Sequence, residues 1–224
     1  MKTLFKRAIP SLAIILMFSG ACTEDGNDDN NLAPAPEESC LGEFAIQPCS
    51  LLEKSRLSEL ASTDEQSIEV EPPDIKPGEE ITDYTQVYCM YTWSSDRVST
   101  MTVMVGETQI QTDIPLDNNI LVGNLKVINE EDLLEFNDET YEDYYDRNYA
   151  VNNEETQQDI SGIGEKAVAA VISQAGHSNW DKTRLSVLHK NVVFIVEADV
   201  SDDNEVDLEM AKKVAEEVLA LCNE

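Results

Sequence analysis

The chain has 224 residues, with 45 Asp and Glu against 15 Lys and Arg and a formal charge of -30. That balance excludes nucleic acid as a partner, because affinity for a polyanion comes from Lys and Arg neutralising phosphates, and an anionic membrane surface would repel the folded body. Hydrophobic residues make up 42% of the chain, enough for a core, and the length suits one domain with a tail.

Lys2, Lys6 and Arg7 precede an apolar run from Ala8 to Phe18, broken only by Pro10 and Ser11. The run is too short to cross about 30 Å of hydrocarbon and has the size of a signal-peptide core. Ser19-Gly20-Ala21-Cys22 follows and resembles the bacterial lipobox, in which small residues precede an acylated cysteine. The resemblance implies that residues 1–21 are a lipoprotein signal peptide. It also implies that Cys22 carries a diacylglycerol and an N-acyl chain such as palmitate, enough chains for stable anchoring. The lipobox usually opens on an aliphatic residue where this chain has Ser19. Ser19-x-Ala21 also suits ordinary signal peptidase, which would leave a soluble secreted protein. Residues 22–39 read as an acidic disordered tether: Glu24, Asp25, Asp28, Asp29, Glu37 and Glu38 stand without a base among them. Such a segment buries too little apolar surface to offset its ordering entropy and repels itself. Acids just after the lipidated cysteine also resemble the surface-export signal of Bacteroidota lipoproteins. The implied location is extracytoplasmic, lipid-anchored, at the outer membrane or cell surface.

Cys40, Cys49, Cys89 and Cys222 are an even number of cysteines in an oxidising setting, so two disulfides are expected. No C-x-x-C is present to suggest a redox site or a zinc ribbon. Three pairings exist; the expected one is Cys49–Cys89, tying an N-terminal helix to a strand, and Cys40–Cys222, pinning the domain ends together.

From Cys40 onward, Ser50 and Glu53 have capping-box spacing, and the leucines after them predict a helix over 51–61. Residues 62–83 hold three prolines and a glycine among acids, which is a loop. Gln86–Trp93 and Thr100–Val105 alternate, with Met101, Val103 and Val105 on one face. They read as two strands joined by a turn at Ser94-Ser95-Asp96-Arg97. Asn129–Asn153 is dense in acid and tyrosine, with Leu134, Tyr141, Tyr145 and Tyr149 at helical intervals. Ala167–Ser173, Thr183–His189 and Val192–Ala198 are three further strands, the last two joined at Lys190-Asn191. Asp207 caps a final helix whose apolar stripe is Ala211, Val214, Ala215, Val218 and Leu221. This order predicts a single α+β domain over 40–224: a mostly antiparallel sheet of about five strands with N- and C-terminal helices packed on it.

Several of these pieces together resemble a known group. They are Pro48-Cys49-Ser50-Leu51-Leu52, then Cys89-x-Tyr91-x-Trp93, then Gly162-x-Gly164-Glu165-Lys166-Ala167, the Lys190-Asn191 turn and an Ala-rich last helix. The chain is similar in these, over most of residues 48–222, to the small domains of unknown function attached to envelope lipoproteins of actinobacterial type. The resemblance implies an extracytoplasmic α+β domain with a cysteine pair matching Cys49 and Cys89, and it carries no catalytic residues. The acidic tyrosine-rich insert departs from the pattern.

The search for chemistry returns little. His177 and His189 are the two histidines; no G-x-S-x-G elbow and no H-E-x-x-H accompanies them. Gly162-Ile163-Gly164-Glu165-Lys166-Ala167 matches G-x-G-x-x-A, but the dinucleotide fingerprint needs a strand before it and a helix after it. Polar residues precede it here and a strand follows, so it is a glycine turn. Asp199, Asp202, Asp203, Asn204, Glu205 and Asp207 are rich in oxygen but lack the EF-hand spacing. No catalytic residue, metal or cofactor is expected. Tyrosines pair apolar area with a polar tip; the stripe Tyr141, Tyr145, Tyr149 either packs on the sheet or forms an interaction face. The function expected is a non-enzymatic, lipid-anchored extracytoplasmic domain that binds another envelope protein or a small ligand. The alternative is an envelope hydrolase acting on glycan or peptide through two carboxylates in a cleft.

Overall fold

The computed structural model describes residues 38–75, 87–106, 108–150, 157–173, 177–178 and 181–223. Cys22 and nearly all of the tether lie outside them. The strands are β1 (Glu69–Glu71), β2 (Tyr88–Val105), β3 (Thr108–Val127), β4 (Gln158–Asp159), β5 (Lys166–Ser173), β6 (His177–Ser178), β7 (Asp181–His189) and β8 (Val192–Asp199). The helices are α1 (Lys54–Ala61), α2 (Glu130–Phe136), α3 (Tyr141–Tyr145) and α4 (Asn204–Ala220).

The expected α+β domain on about five strands is overturned. Among the described residues one sheet of eight strands dominates, in the order β1-β2-β3-β8-β7-β5-β4, with β6 paired to β2. The largest error lies in β2 and β3. Ser94–Arg97 is not a turn but an irregularity in one continuous strand: Trp93 pairs with Asn118, and pairing resumes at Arg97 with Leu116. Three residues of β2 there face the single Asp117 of β3, and extra residues in one strand of a pair bend it without ending it. The chain reverses instead at Gly106, and the 20-residue β3 returns along β2. No sequence pattern anticipated β3. Pro115 and Asp117-Asn118-Asn119 read as breakers, yet Pro115 sits opposite Val98 where β3's other edge pairs with no described strand, the edge position at which a strand tolerates proline. At Gly123 a side chain is excluded: φ is 146° and a Cβ would lie 2.5 Å from the Val87 carbonyl oxygen.

The helices need smaller corrections. Pro48–Ser50 is a 3-10 turn, and α1 begins at Lys54 with Glu53 at its N-cap, so the expected Ser50 box does not form. Asp203, not Asp207, caps α4, accepting from the Glu205 N–H at 2.9 Å. Leu221 is 39% exposed and drops out of the α4 stripe; Leu208 joins it.

Alternation along β7 and β8 gives the sheet two different faces. On one, Leu185, Val187, Val192, Phe194, Val196 and Ala198 pack with Leu41, Leu52, Leu57 and the α4 residues Ala211, Val214, Ala215 and Val218. Tyr91 is fully buried there and donates its hydroxyl to the Leu52 carbonyl at 2.5 Å. Disulfides Cys40–Cys222 and Cys49–Cys89 staple the same side, joining the pairs named above. The chain segments between the bonded cysteines, 182 and 40 residues in separation, give roughly 5 and 4 kcal/mol in the chain-entropy account.

Candidate functional site

The second face carries the chemistry. Paired residues of adjacent antiparallel strands share a face, so the register places Tyr88, Gly123, Ile195, Ser186 and Val168 in one row. Met90, Leu121, Glu197, Arg184 and Ala170 form the next. Among the described residues, one end of this face is roofed, by a small cluster of Ile128, Tyr144, Tyr145, Val168, Leu188 and Val193.

The roof is the acidic, tyrosine-rich segment. Asn129 with Asp132, and Thr140 with Asp143, each form a reciprocal capping box, starting α2 and α3. These boxes satisfy backbone donors that two such short helices otherwise expose. Lys166 of β5 pairs with Asp146 and holds the segment to the sheet. Arg147 lies 5.1 Å from the Tyr144 ring centroid and pairs with Asp138.

This settles where the tyrosines stand. Tyr145 is fully buried, and its hydroxyl donates to the Ser186 carbonyl at 2.8 Å. Burial pushes that hydroxyl's pKa far up. Tyr145 is therefore a packing residue and is removed from the expected interaction face. Tyr141 and Tyr149 are half-buried. The Tyr149 ring stacks on Tyr145 with centroids 5.7 Å apart, and Tyr149 also lines a groove on this face. Leu134 is 78% exposed and belongs to no stripe.

Among the described residues, a groove of about 170 Å³ lies beside Tyr149. Its floor is Val168, Ala170, Ile172 and Ile195; Asn148, Gln157, Ser186 and Arg184 bring the polar groups. Pockets that enclose a small molecule hold roughly 300–1,000 Å³. This one suits a single side chain or one ring of a larger ligand.

At the groove's end Glu197 is 5% exposed, and both its oxygens are taken. Arg184 Nε donates to Oε1 at 2.8 Å, and Lys182 holds Oε2. Burial raises the pKa of this carboxyl, but Lys182 and Arg184 outweigh it and leave it below its usual range. Two bases against one acid make this a locally cationic spot on a chain of charge -30. Sequence reasoning missed it. The signal was present: Lys182 and Arg184 alternate in β7, and Glu197 interrupts the apolar run of β8, so a buried acid required partners nearby.

A second polar knot ties the hairpin to the start of α4. Arg97 donates to Asp199 and, at 3.1 Å, to Asp202. Asn119 donates to the other Asp199 oxygen at 3.2 Å. The Asn118 amide, oriented to satisfy both neighbours, accepts from the Trp93 indole N–H at 3.0 Å and donates to the Val200 carbonyl at 3.2 Å. Asp207 is fully buried; Oδ1 accepts from the Val200 N–H at 2.9 Å and Oδ2 has no partner. Burial, with Asp199 adding, pushes its carboxyl up to about 7. Two carboxylates do meet here, but Asp199 is 1% and Asp207 0% exposed.

The remaining candidates fall into place. Gly162 and Gly164 have φ of 85° and 60° in a turn, and β5 follows it. His189 Nδ1 lies 3.5 Å from Glu165. His177 belongs to β6, far along β2 from Glu197. Among the described residues, no helix is long and apolar enough to cross a membrane.

No protein family and no curated protein matches the chain. Among solved structures, the extracellular domain of PknH from Mycobacterium tuberculosis is similar at 11% identity, covering 83% of this chain and 98% of that one, with a TM-score of 0.35. A likeness that slight carries no argument about fold or function.

Proposed function

We propose that the chain is a non-enzymatic domain, held outside the cytoplasm by a lipidated Cys22 and an acidic tether, that binds a protein segment or small ligand on the half-roofed face of its sheet. One observation carries this reading: the groove where the roof ends, with an apolar floor, Tyr149 on one side and Arg184 on another. Binding sites combine an apolar floor with a few convergent polar groups in this way. The two disulfides suit an oxidising compartment. The hydrolase alternative calls for paired carboxylates facing a cleft, and the groove's lining contains none.

The test is in-cell crosslinking of the full-length chain from a photoreactive residue at position 149, with Ala170→Trp as the blocked control. A reproducible partner or ligand that is lost when the Ala170→Trp indole fills the groove supports the proposal. Crosslinks unchanged by the blocked groove, at preserved secondary structure, overturn it. Metabolic labelling with a palmitate analogue tests the anchor: label should vanish in Cys22→Ser.

A further inference from the structure

The β2–β3 hairpin runs well past the sheet. β3 pairs with β8 only from Asn119 onward. From Thr108 to Asn118 it has β2 on one side and no described strand on the other. β2 in turn meets β6 only at Thr100 and Met101. The register sets Val105 beside Thr108, Val103 beside Ile110, Met101 beside Thr112 and Ser99 beside Ile114, all on one side of the arm. That side bears no charge, and Val103, Val105 and Ile110 are 38%, 58% and 47% exposed. Contiguous apolar surface of this kind marks a contact site.

Monomeric proteins blunt a free strand edge with charge or proline. Here Asp113, Pro115 and Asp117 blunt the root of β3, while Thr108–Thr112 carries neither charge nor proline. We propose that this edge pairs with the same edge of a second copy, antiparallel, about a two-fold axis at Gln111.

The chemistry of that register is self-consistent. A two-fold interface must be self-complementary. Gln111 then meets Gln111, Ile110 meets Thr112, Gln109 meets Asp113, and Thr108 meets Ile114. The two uncharged faces merge on one side, and no like charges stand opposite each other, an arrangement that would destabilise the pairing. Asp113 is already turned onto the Thr100 hydroxyl at 2.9 Å.

The body's acidity does not oppose this contact. Eight residues separate Gln111 from Asn119, about 27 Å at the rise of an extended strand. Fully extended, that span exceeds the Debye length of about 8–10 Å. The contact depends on neither the groove nor the anchor.

The experiment is sedimentation of the full chain over micromolar to hundreds of micromolar concentration. It compares the unaltered chain, Gln111→Glu, Gln111→Lys, and the two variants mixed in equal parts. Self-association is expected for the unaltered chain and should weaken roughly five-fold in each variant, where like charges meet on the axis. The mixture should associate at least as well as the unaltered chain, through Glu–Lys pairs. A monomer throughout, or variants that associate as the parent does, overturns the proposal. Gln111 is exposed, so circular dichroism should not change with either substitution.

Discussion

The two faces of the central sheet share the same strands and differ in how they are covered. One is sealed by α1, α4 and both disulfides; among the described residues the other is roofed at one end by two helices of seven and five residues and carries a groove beside Tyr149. Sealing costs polar groups their water, so the first face is almost wholly apolar. The half-roofed face tolerates Lys182, Arg184 and Glu197 because the two bases still reach solvent, at 35% and 40% side-chain exposure. Adjacent residues of β8 measure the difference. Phe194→Ala opens a cavity under α4 and should cost about 3–5 kcal/mol. Ile195→Ala, whose side chain faces the groove, should cost about 1–2 kcal/mol. Chemical denaturation of both variants checks this; equal losses would mean that the second face is sealed too.

Acid and base should separate the same two environments. Asp207 is buried in α4's first turn, and its folded value of about 7 stands above the ordinary 3.8. The folded state keeps this proton after the unfolded chain has lost it. Its stabilising contribution is therefore complete below about pH 4 and disappears as pH rises through 7. Asp207→Asn should flatten that fall and raise stability at pH 8 by on the order of 2–4 kcal/mol, with little effect at pH 4. Glu197 has the opposite sign. Its folded pKa is held down, so its contribution is present above the ordinary carboxylate range and is lost as pH falls. Melting temperatures across pH 4–8 should part from the parent mainly at the alkaline end, upward for Asp207→Asn and downward for Glu197→Gln, and draw together as pH falls. Parallel curves would reject the assignment.

The sealed face was the legible one. The strands near 166–173, 181–189 and 192–199, the turn at Lys190 and the last helix all carry runs of Val, Ile, Leu and Ala, because burial on that side permits little else. The hairpin was illegible for the converse reason. Arg97 reads as a turn residue, yet it is spent on Asp199 and Asp202. The 11 residues of β3 before Asn119 mix Thr, Gln and Asp because no described strand flanks their outer edge. Local composition reports burial, and an arm that buries little leaves a weak trace. At the groove, the tyrosine stripe was visible but its depth was not. Helical spacing cannot say which of Tyr141, Tyr145 and Tyr149 lies under the roof, since α3 ends at Tyr145 and a wider turn carries Tyr149.

The smallest effect tests that last distinction. The Tyr145 hydroxyl donates to the Ser186 carbonyl in a buried setting. Tyr145→Phe removes the donor but leaves the ring in place, so the cost is one net hydrogen bond, about 1 kcal/mol. Tyr149→Phe touches a half-buried ring at the groove's edge and should change stability by less than about 0.5 kcal/mol, while weakening capture of whatever the groove binds. A stability loss confined to Tyr145 and a binding loss confined to Tyr149 would place the boundary between core and site within a single turn of chain. Equal stability losses at both positions would extend the roof over Tyr149 and close the groove.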